Sequence, residues 1–291
     1  MLVALAAIWG SSFLFIKVAV RELTPGEVVF GRVLVGALAL LPVVPFTVGW
    51  ARLASELRRY ALPLTLLGIF NASLPFWLLA WSEKRLDSGL AAVLQGSTPL
   101  FTALVAFGFS RSDRVTGGRL VGVLVGFLGV VLLVGAQPSG DVLSAFAVIG
   151  TAACYAASAL YAGVRLREAS PIVTSFGTLF VATLSTLPFG VTQLPAQAPG
   201  WKAIGSVVAL GALGLSIAYL LYFGLIAAAG ASYAVLVTYL VPALALGYGA
   251  IFLNENVTAS AIGGLLLILA GVALGTGTLR LSRRAPAAET Q

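Results

Sequence analysis

Apolar runs of about twenty residues follow one another along the 291-residue chain, separated by short stretches of charged, Pro and Gly residues. At 1.5 Å per residue such a run, coiled as a helix, crosses a hydrocarbon core of ~30 Å. The pattern predicts ten spanning helices, at residues 2–20, 28–48, 61–81, 88–109, 119–136, 142–163, 172–190, 203–227, 232–253 and 258–278. Thr24-Pro25-Gly26, Glu83-Lys84-Arg85, Gln137-Pro138-Ser139-Gly140 and Pro195 through Gly200 mark the connections, and a shallower break falls near Ala229-Gly230-Ala231. The first run lacks a basic leader and is interrupted by Lys17, so it reads as a spanning helix and not as a cleaved signal.

The loop charges predict an orientation. With the N-terminus inside, the cytoplasmic side collects Arg52, Arg58, Arg59, Arg111, Arg114, Arg119, Arg165, Arg167, Arg280, Arg283 and Arg284; the opposite side holds Arg21, Lys84, Arg85 and Lys202. That bias places both termini in the cytoplasm of a bacterial-type inner membrane. Composition agrees: 59% of residues are hydrophobic and 9% charged, too few charges to cover a water-soluble fold. The net charge of +7 is spread over short loops, not gathered on one solvated face, which argues against a nucleic-acid partner. A single cysteine, Cys154, rules out an intrachain disulfide, and the absence of histidine removes the usual Cys/His metal sites. No cofactor, metal site or catalytic residue is expected; the expected partners are the bilayer and a small-molecule substrate, with the chain working as a monomer or homodimer.

The chain also repeats itself. Arg21-Glu22-Leu23-Thr24-Pro25 matches Arg167-Glu168-Ala169-Ser170-Pro171, Pro42 matches Pro188, and Pro99 matches Pro242; Val115-Thr116, Gly122 and Gly129-Val130 echo Val257-Thr258, Gly264 and Gly271-Val272. The expected organisation is two five-helix repeats, 1–137 and 138–280, followed by a cytoplasmic tail, 281–291. Because five is odd, the second repeat must enter the membrane from the opposite side, the inverted arrangement found in many transporters.

Trp9-Gly10-Ser11-Ser12-Phe13 with Lys17, Arg32 in the second span, Ser97-Thr98-Pro99-Leu100-Phe101-Thr102 in the fourth and the Gly122 to Gly129 pattern in the fifth together resemble the EamA-type permeases of the drug/metabolite transporter superfamily. In overall appearance the chain is also similar to that family's aromatic amino-acid exporters, the YddG type. The resemblance implies a permease that exports small metabolites. Where the family commonly has Gly-Glu after the fourth span this chain has Ser110-Arg111-Ser112-Asp113, while Asn254-Glu255 keeps the acidic residue in the second half.

Polar residues in mid-span must face the protein interior, because hydrocarbon cannot satisfy them. Ser12, Asn71, Gln95, Thr98, Ser158 and Thr238 are such residues, and the repeat pairs Ser12 with Ser158 and Gln95 with Thr238. Trp9 pairs with Tyr155 and Phe76 with Tyr219, and Tyr239 also lies too deep to be an interface anchor; Trp50, Trp77 and Trp201 read as anchors. These residues predict a midplane cavity lined by spans 1, 3, 4, 6, 8 and 9, with Trp9, Ser12, Asn71, Gln95, Thr98, Tyr155, Ser158, Tyr219, Thr238 and Tyr239 binding substrate. Interhelical hydrogen bonding is the alternative role for each polar member. Pro99 and Pro242 remove a backbone donor at equivalent mid-helix positions and are expected to act as hinges. Lys17 and Arg32 either snorkel or pair with Glu22 and Glu27, or take part in substrate contact and gating. The glycine faces of the fifth and tenth spans predict scaffold helices.

The function expected from these residues is export of small amphipathic metabolites, aromatic and other neutral amino acids first, with efflux of drugs as the alternative. An intramembrane enzyme is a remote one, since only a Ser-Lys arrangement through Lys17 could supply chemistry; an assembly scaffold is another. The acidic residues fall at loops, span ends or the tail, which predicts facilitated diffusion, not coupling through a mid-depth carboxylate. Were transport coupled to protons, Lys17 or a span-end acid such as Glu83 would carry them.

Overall fold

The computed structural model describes residues 1–109, 118–135, 141–193, 197–229 and 236–275. The Ser110 to Asp113 stretch, the Gln137 to Gly140 turn that divides the two expected repeats, and the tail at 281–291 lie outside them. The described residues form helices joined by short turns and loops, without strands. Seven helical runs are long and apolar enough to cross a membrane: Leu2–Ala19, Pro25–Thr47, Ala61–Glu83, Ser88–Val105, Val142–Arg165, Pro171–Thr192 and Trp201–Tyr222. Three shorter apolar helices, Leu120–Gly135, Val237–Leu253 and Ala259–Leu274, coincide with the remaining predicted runs. The protein is a multi-pass, all-helical membrane protein.

Local chemistry sets where helices begin and break. Helix α1 is Leu2–Ala19, and α2 is Pro25–Leu40. Helix α2 starts three residues earlier than hydropathy predicts, because Thr24 and Glu27 form a capping box: the Glu27 N–H donates to Thr24 Oγ1 (3.3 Å) and the Thr24 N–H to Glu27 Oε2 (2.6 Å). A turn of 3₁₀ helix at Leu41–Val43 carries it into α3, Val44–Thr47. Helix α4, Trp50–Arg59, is a surface helix that hydropathy does not reveal. Its Leu53 and Leu57 turn inward, while Arg59 pairs with Glu168 (3.1 Å) and Glu56 accepts the Ser170 N–H (2.9 Å). Burial alone would raise the Glu56 carboxyl, but the Ser170 N–H and the Arg52 guanidinium outweigh it and hold this group below its ordinary range.

The third run consists of α5, Ala61–Leu67, a π-helical segment at Gly68–Ser73, and α6, Leu74–Glu83. The fourth, predicted as one helix, is two: α7, Ser88–Gln95, and α8, Thr98–Phe109, parted at Gly96-Ser97. Then come α9, Gly118–Gly135, α10, Val142–Arg165, and α11, Pro171–Thr192. The eighth run repeats the form of the third, with α12, Trp201–Gly211, a π segment at Ala212–Ile217, and α13, Ala218–Ala229. Helices α14, Val237–Leu253, and α15, Ala259–Gly275, complete the described chain.

Helix α1 packs on α14, α10 on α7 and α8, α2 on α11, and α9 on α15. Large apolar side chains such as Phe46, Leu62, Leu143, Val164, Ile251 and Leu266 point outward and are exposed. Lipid tails are as apolar as these side chains, so helix association here depends on close contact more than on water exclusion. The α9–α15 seam has the closest contact. A Cβ on Gly271 would strike the backbone of Gly126 and Gly122, and one on Gly129 would lie 2.9 Å from the Gly264 carbonyl oxygen. These are the glycine faces expected to form scaffold.

Replacing Gly271 by Val should therefore force the seam apart and destabilise the protein by about 1–3 kcal/mol or more, the range of overpacked cores. Gly205, beside which an added Cβ meets nothing within 4 Å, should accept Val with little change. Melting temperatures of the two variants in the same detergent check the contrast.

Candidate functional site

The helix breaks cluster around a central cavity of about 980 Å³. Trp9, Ser12, Phe13 and Ile16 of α1 form one wall; Arg32 comes from α2, and Asn71, Phe76 and Leu79 from the third run. Gln95, Thr98, Pro99 and Thr102 line it at the α7–α8 break, Tyr155 and Ser158 on α10, Thr174 and Thr178 on α11, Tyr219 and Tyr222 on α13, and Thr238 and Pro242 on α14. Among the described residues, none of α9 or α15 lines it. The second and seventh runs contribute through Arg32, Thr174, Ser175 and Thr178, which the span pattern did not anticipate.

Nine of the ten residues expected to bind substrate line this space. Tyr239 does not: its ring packs against the buried cluster that includes Phe13, Leu94 and Ile268, and its hydroxyl is buried without a hydrogen-bond partner. Depth in the span correctly excluded an anchor role, but the helix turns this side chain into the packing and leaves Thr238 facing the cavity.

Interrupting a helix frees backbone carbonyls, and each interruption here has a side chain that answers it. Pro99 lacks the N–H that would reach the Gln95 carbonyl, and Thr98 Oγ1 donates to that oxygen instead (2.7 Å). In the first π segment Ser73 Oγ donates to Gly68 O (2.9 Å); in the second, Ser216 Oγ donates to Gly211 O (3.4 Å) and across to Gly36 O (2.9 Å). The Trp9 indole donates to Gly214 O (3.2 Å), tying α1 to the second π segment. Sequence reasoning missed both π segments. A glycine followed by a serine five residues on, Gly68 with Ser73 and Gly211 with Ser216, was the available signal, and it recurs at the spacing that relates Pro99 to Pro242.

Two charges expected near span ends take different roles. Arg32 does not pair with Glu22, which accepts the Gly200 N–H (2.6 Å), nor with Glu27, which is held in the capping box. It is buried, its guanidinium lies 3.9 Å above the centre of the Phe76 ring, and its Nε has no acceptor. Lys17 lies outside the cavity. Its Nζ donates to the carbonyls of Glu83 (2.7 Å) and Leu86 (2.6 Å), neutralising the C-terminal end of α6. Lys17 also borders a separate polar pocket of about 240 Å³ with Arg21, Asp87 and Glu255.

The acidic residue after α14 has a structural task. Asn254 takes the left-handed conformation (φ 56°), turning the chain so that Glu255 accepts the Ser88 N–H (2.9 Å), the Ser88 hydroxyl (2.8 Å) and the Gly89 N–H (3.1 Å) at the start of α7.

The cavity thus joins aromatic walls (the Trp9 and Tyr222 ring centres are 5.6 Å apart) to one buried cation and neutral hydrogen-bonding groups, among them a buried, unpartnered Gln95 Oε1. It holds no pair of acids and no metal-binding group among the described residues. Sequence comparison fits this arrangement: the chain matches the EamA-like transporter family over residues 1–135 and again over 142–276. The chain belongs to that family. An uncharacterized transporter of Archaeoglobus fulgidus is 26% identical over 91% of this chain and 93% of its own length. A probable amino-acid metabolite efflux pump of Salmonella typhimurium is 27% identical, covering 96% and 94%. An uncharacterized inner membrane transporter of Escherichia coli, YedA, is 27% identical over 96% and 83%. A crystal structure aligns with a TM-score of 0.66 over 95% of each chain at 19% identity, a likeness of fold.

Cysteines placed singly at Trp9, Gln95 and Tyr155 in a Cys154→Ser background should react with water-soluble thiol reagents, and one at Tyr239 should not. Labelling in intact membranes reads the difference; three inert cavity positions would refute the lining.

Proposed function

We propose that this EamA-family transporter exports small amphipathic metabolites, aromatic and other neutral amino acids first among them. The observation that carries the reading is Arg32: a buried guanidinium with an unpartnered Nε beside a ring-walled cavity. A cation held there without a carboxylate partner is costly and is satisfied by an anionic group on the substrate. Gln95 Oε1 offers an acceptor for an ammonium, and Trp9, Tyr155 and Tyr219 offer apolar faces for a ring. A zwitterionic amino acid meets all three demands. Efflux of hydrophobic cationic drugs meets them less well, since Arg32 repels the charge such drugs carry. The relative named as an amino-acid metabolite efflux pump supports the first reading.

The architecture we propose is ten spanning helices in two inverted five-helix repeats, 1–137 and 138–280, with both termini cytoplasmic in a bacterial-type inner membrane, acting as a monomer or homodimer. The twofold family match and the recurrence of the π segments support it. Alternating access then uses the paired π segments, with Pro99 and Pro242 as hinges; Pro99 is the second residue of α8, beside the α7–α8 break, and not in mid-helix as the repeat suggests, whereas Pro242 lies inside the continuous α14.

Phenylalanine counterflow in proteoliposomes tests the substrate. Arg32→Gln should raise the half-saturating concentration about tenfold or more, the loss of a charge-assisted hydrogen bond. Phenethylamine, which lacks the carboxylate and carries the charge that Arg32 repels, should compete weakly with the parent and better with the variant. Equal competition by the two ligands would sink the Arg32 assignment and favour drug efflux. For the hinges, Pro99→Ala or Pro242→Ala should slow exchange at an unchanged half-saturating concentration. Parental exchange rates in both variants would remove the proline hinge.

A further inference from the structure

Phe76 and Leu79 face the cavity from α6, and a further step of four residues brings the same face to Glu83, one turn beyond the cavity's end. Glu83 is 0% exposed, and neither of its carboxylate oxygens has a hydrogen-bond partner. Other acids at this end have donors: Glu22 has the Gly200 N–H, Glu27 the Thr24 N–H, Asp141 the Ser144 N–H, and Glu255 the start of α7. An ionised carboxylate left without any donor in an apolar environment is far costlier than the neutral acid.

The charged groups that face Glu83 do not bond to it. Lys17, from α1, spends its Nζ on two carbonyls; Arg32, from α2, lies over Phe76. Glu255, from the loop after α14, is occupied by α7, and Asp141, which begins α10, pairs with Arg85 (3.3 Å). Asp87 stands just before α7, and burial together with the neighbouring Glu255 raises its carboxyl above the ordinary range. Around Glu83 this end is shut by cross-links between separate segments: Lys17 to the end of α6, Glu255 to α7, Glu22 to Gly200, and Thr24 to Gln193 (3.0 Å).

We propose that Glu83 is a proton-binding site, holding its proton while this end of the cavity is shut and releasing it to water when the end opens. The inference rests on the reading of the chain as an alternating-access transporter. The step balances: the carboxylic acid gives one proton to the entering water and becomes a carboxylate, and Lys17, freed from the two carbonyls, supplies the countercharge. Proton binding and closure are then linked, so acid on this side favours the shut state and slows its opening. The proton leaves to and returns from the same side, so none crosses the membrane, and a pH gate of this kind is compatible with the facilitated diffusion that the sequence suggests.

Two measurements on the full chain in liposomes test the site. Infrared difference spectra between the parent and Glu83→Gln at neutral pH should show a protonated-carboxyl C=O band in the parent that the variant lacks; Glu83→Asp, which keeps the acid, should shift the band without abolishing it. With phenylalanine as the flux probe, lowering the pH on this side by one unit should slow counterflow in the parent by up to about tenfold, the limit for one linked proton. Counterflow by Glu83→Gln should not change with that pH. A parent spectrum with no such band, or the same pH dependence in Glu83→Gln, overturns the proposal. If the parent does not carry phenylalanine at all, the amino-acid reading fails, and the infrared band by itself decides whether Glu83 holds a proton.

Discussion

Hydrocarbon offers a polypeptide no hydrogen bonds, and most of what distinguishes this fold follows from that constraint. A continuous helix satisfies its own backbone, so it can face lipid anywhere. An interrupted one needs substitutes, and the interruptions at Gly68–Ser73, Gly96-Ser97 and Ala212–Ile217 all adjoin the interior cavity. Thr98, Ser73, Ser216 and Trp9 supply donors to the carbonyls in these places. The polar side chains that look like a binding set are therefore in part a repair set. Thr98 answers the proline beside it, and Trp9 answers a π segment two hundred residues away. Gln95 and Arg32 differ, because each keeps a buried polar atom without a partner.

Span positions were legible because a run of apolar residues has only one solution in a bilayer. The glycine seam was legible too, since small residues at intervals of three or four have a direct steric meaning. Helix α4 was not: ten residues with several arginines read as loop charge, and its role emerges only when Leu53 and Leu57 are seen to turn inward. The π segments escaped because their residues are unremarkable in composition, and the serine that stabilises each is identified by what its hydroxyl reaches.

Among the site residues, sequence depth predicted well which side chains avoid lipid but not what they face. Tyr239 and Thr238 are adjacent and equally deep, yet one enters the packing and the other the cavity. Glu83 shows the same gap between position and environment. It lies at a span end, where hydration is the natural assumption, but the cross-links that close this end leave it no exposed surface. A carboxylate's position along a helix is readable from hydropathy; whether water reaches it depends on segments far away in the chain.

The α9–α15 seam bears on how such a protein can change over time. At its tightest points backbone is the neighbour: a side chain on Gly271 meets the backbone of Gly126 and Gly122, and one on Gly129 the Gly264 carbonyl, so substitution at either glycine is penalised. The cavity wall is the opposite case: the side chains there border empty space, and many could be enlarged, shortened or exchanged without disturbing a neighbour. Mutational tolerance is thus concentrated on the surface that meets the cargo and withheld from the surface that holds the molecule together. Lineages carrying this scaffold can drift from one solute to another while their architecture stays still, and overall sequence likeness between two of them is a poor guide to what each one carries.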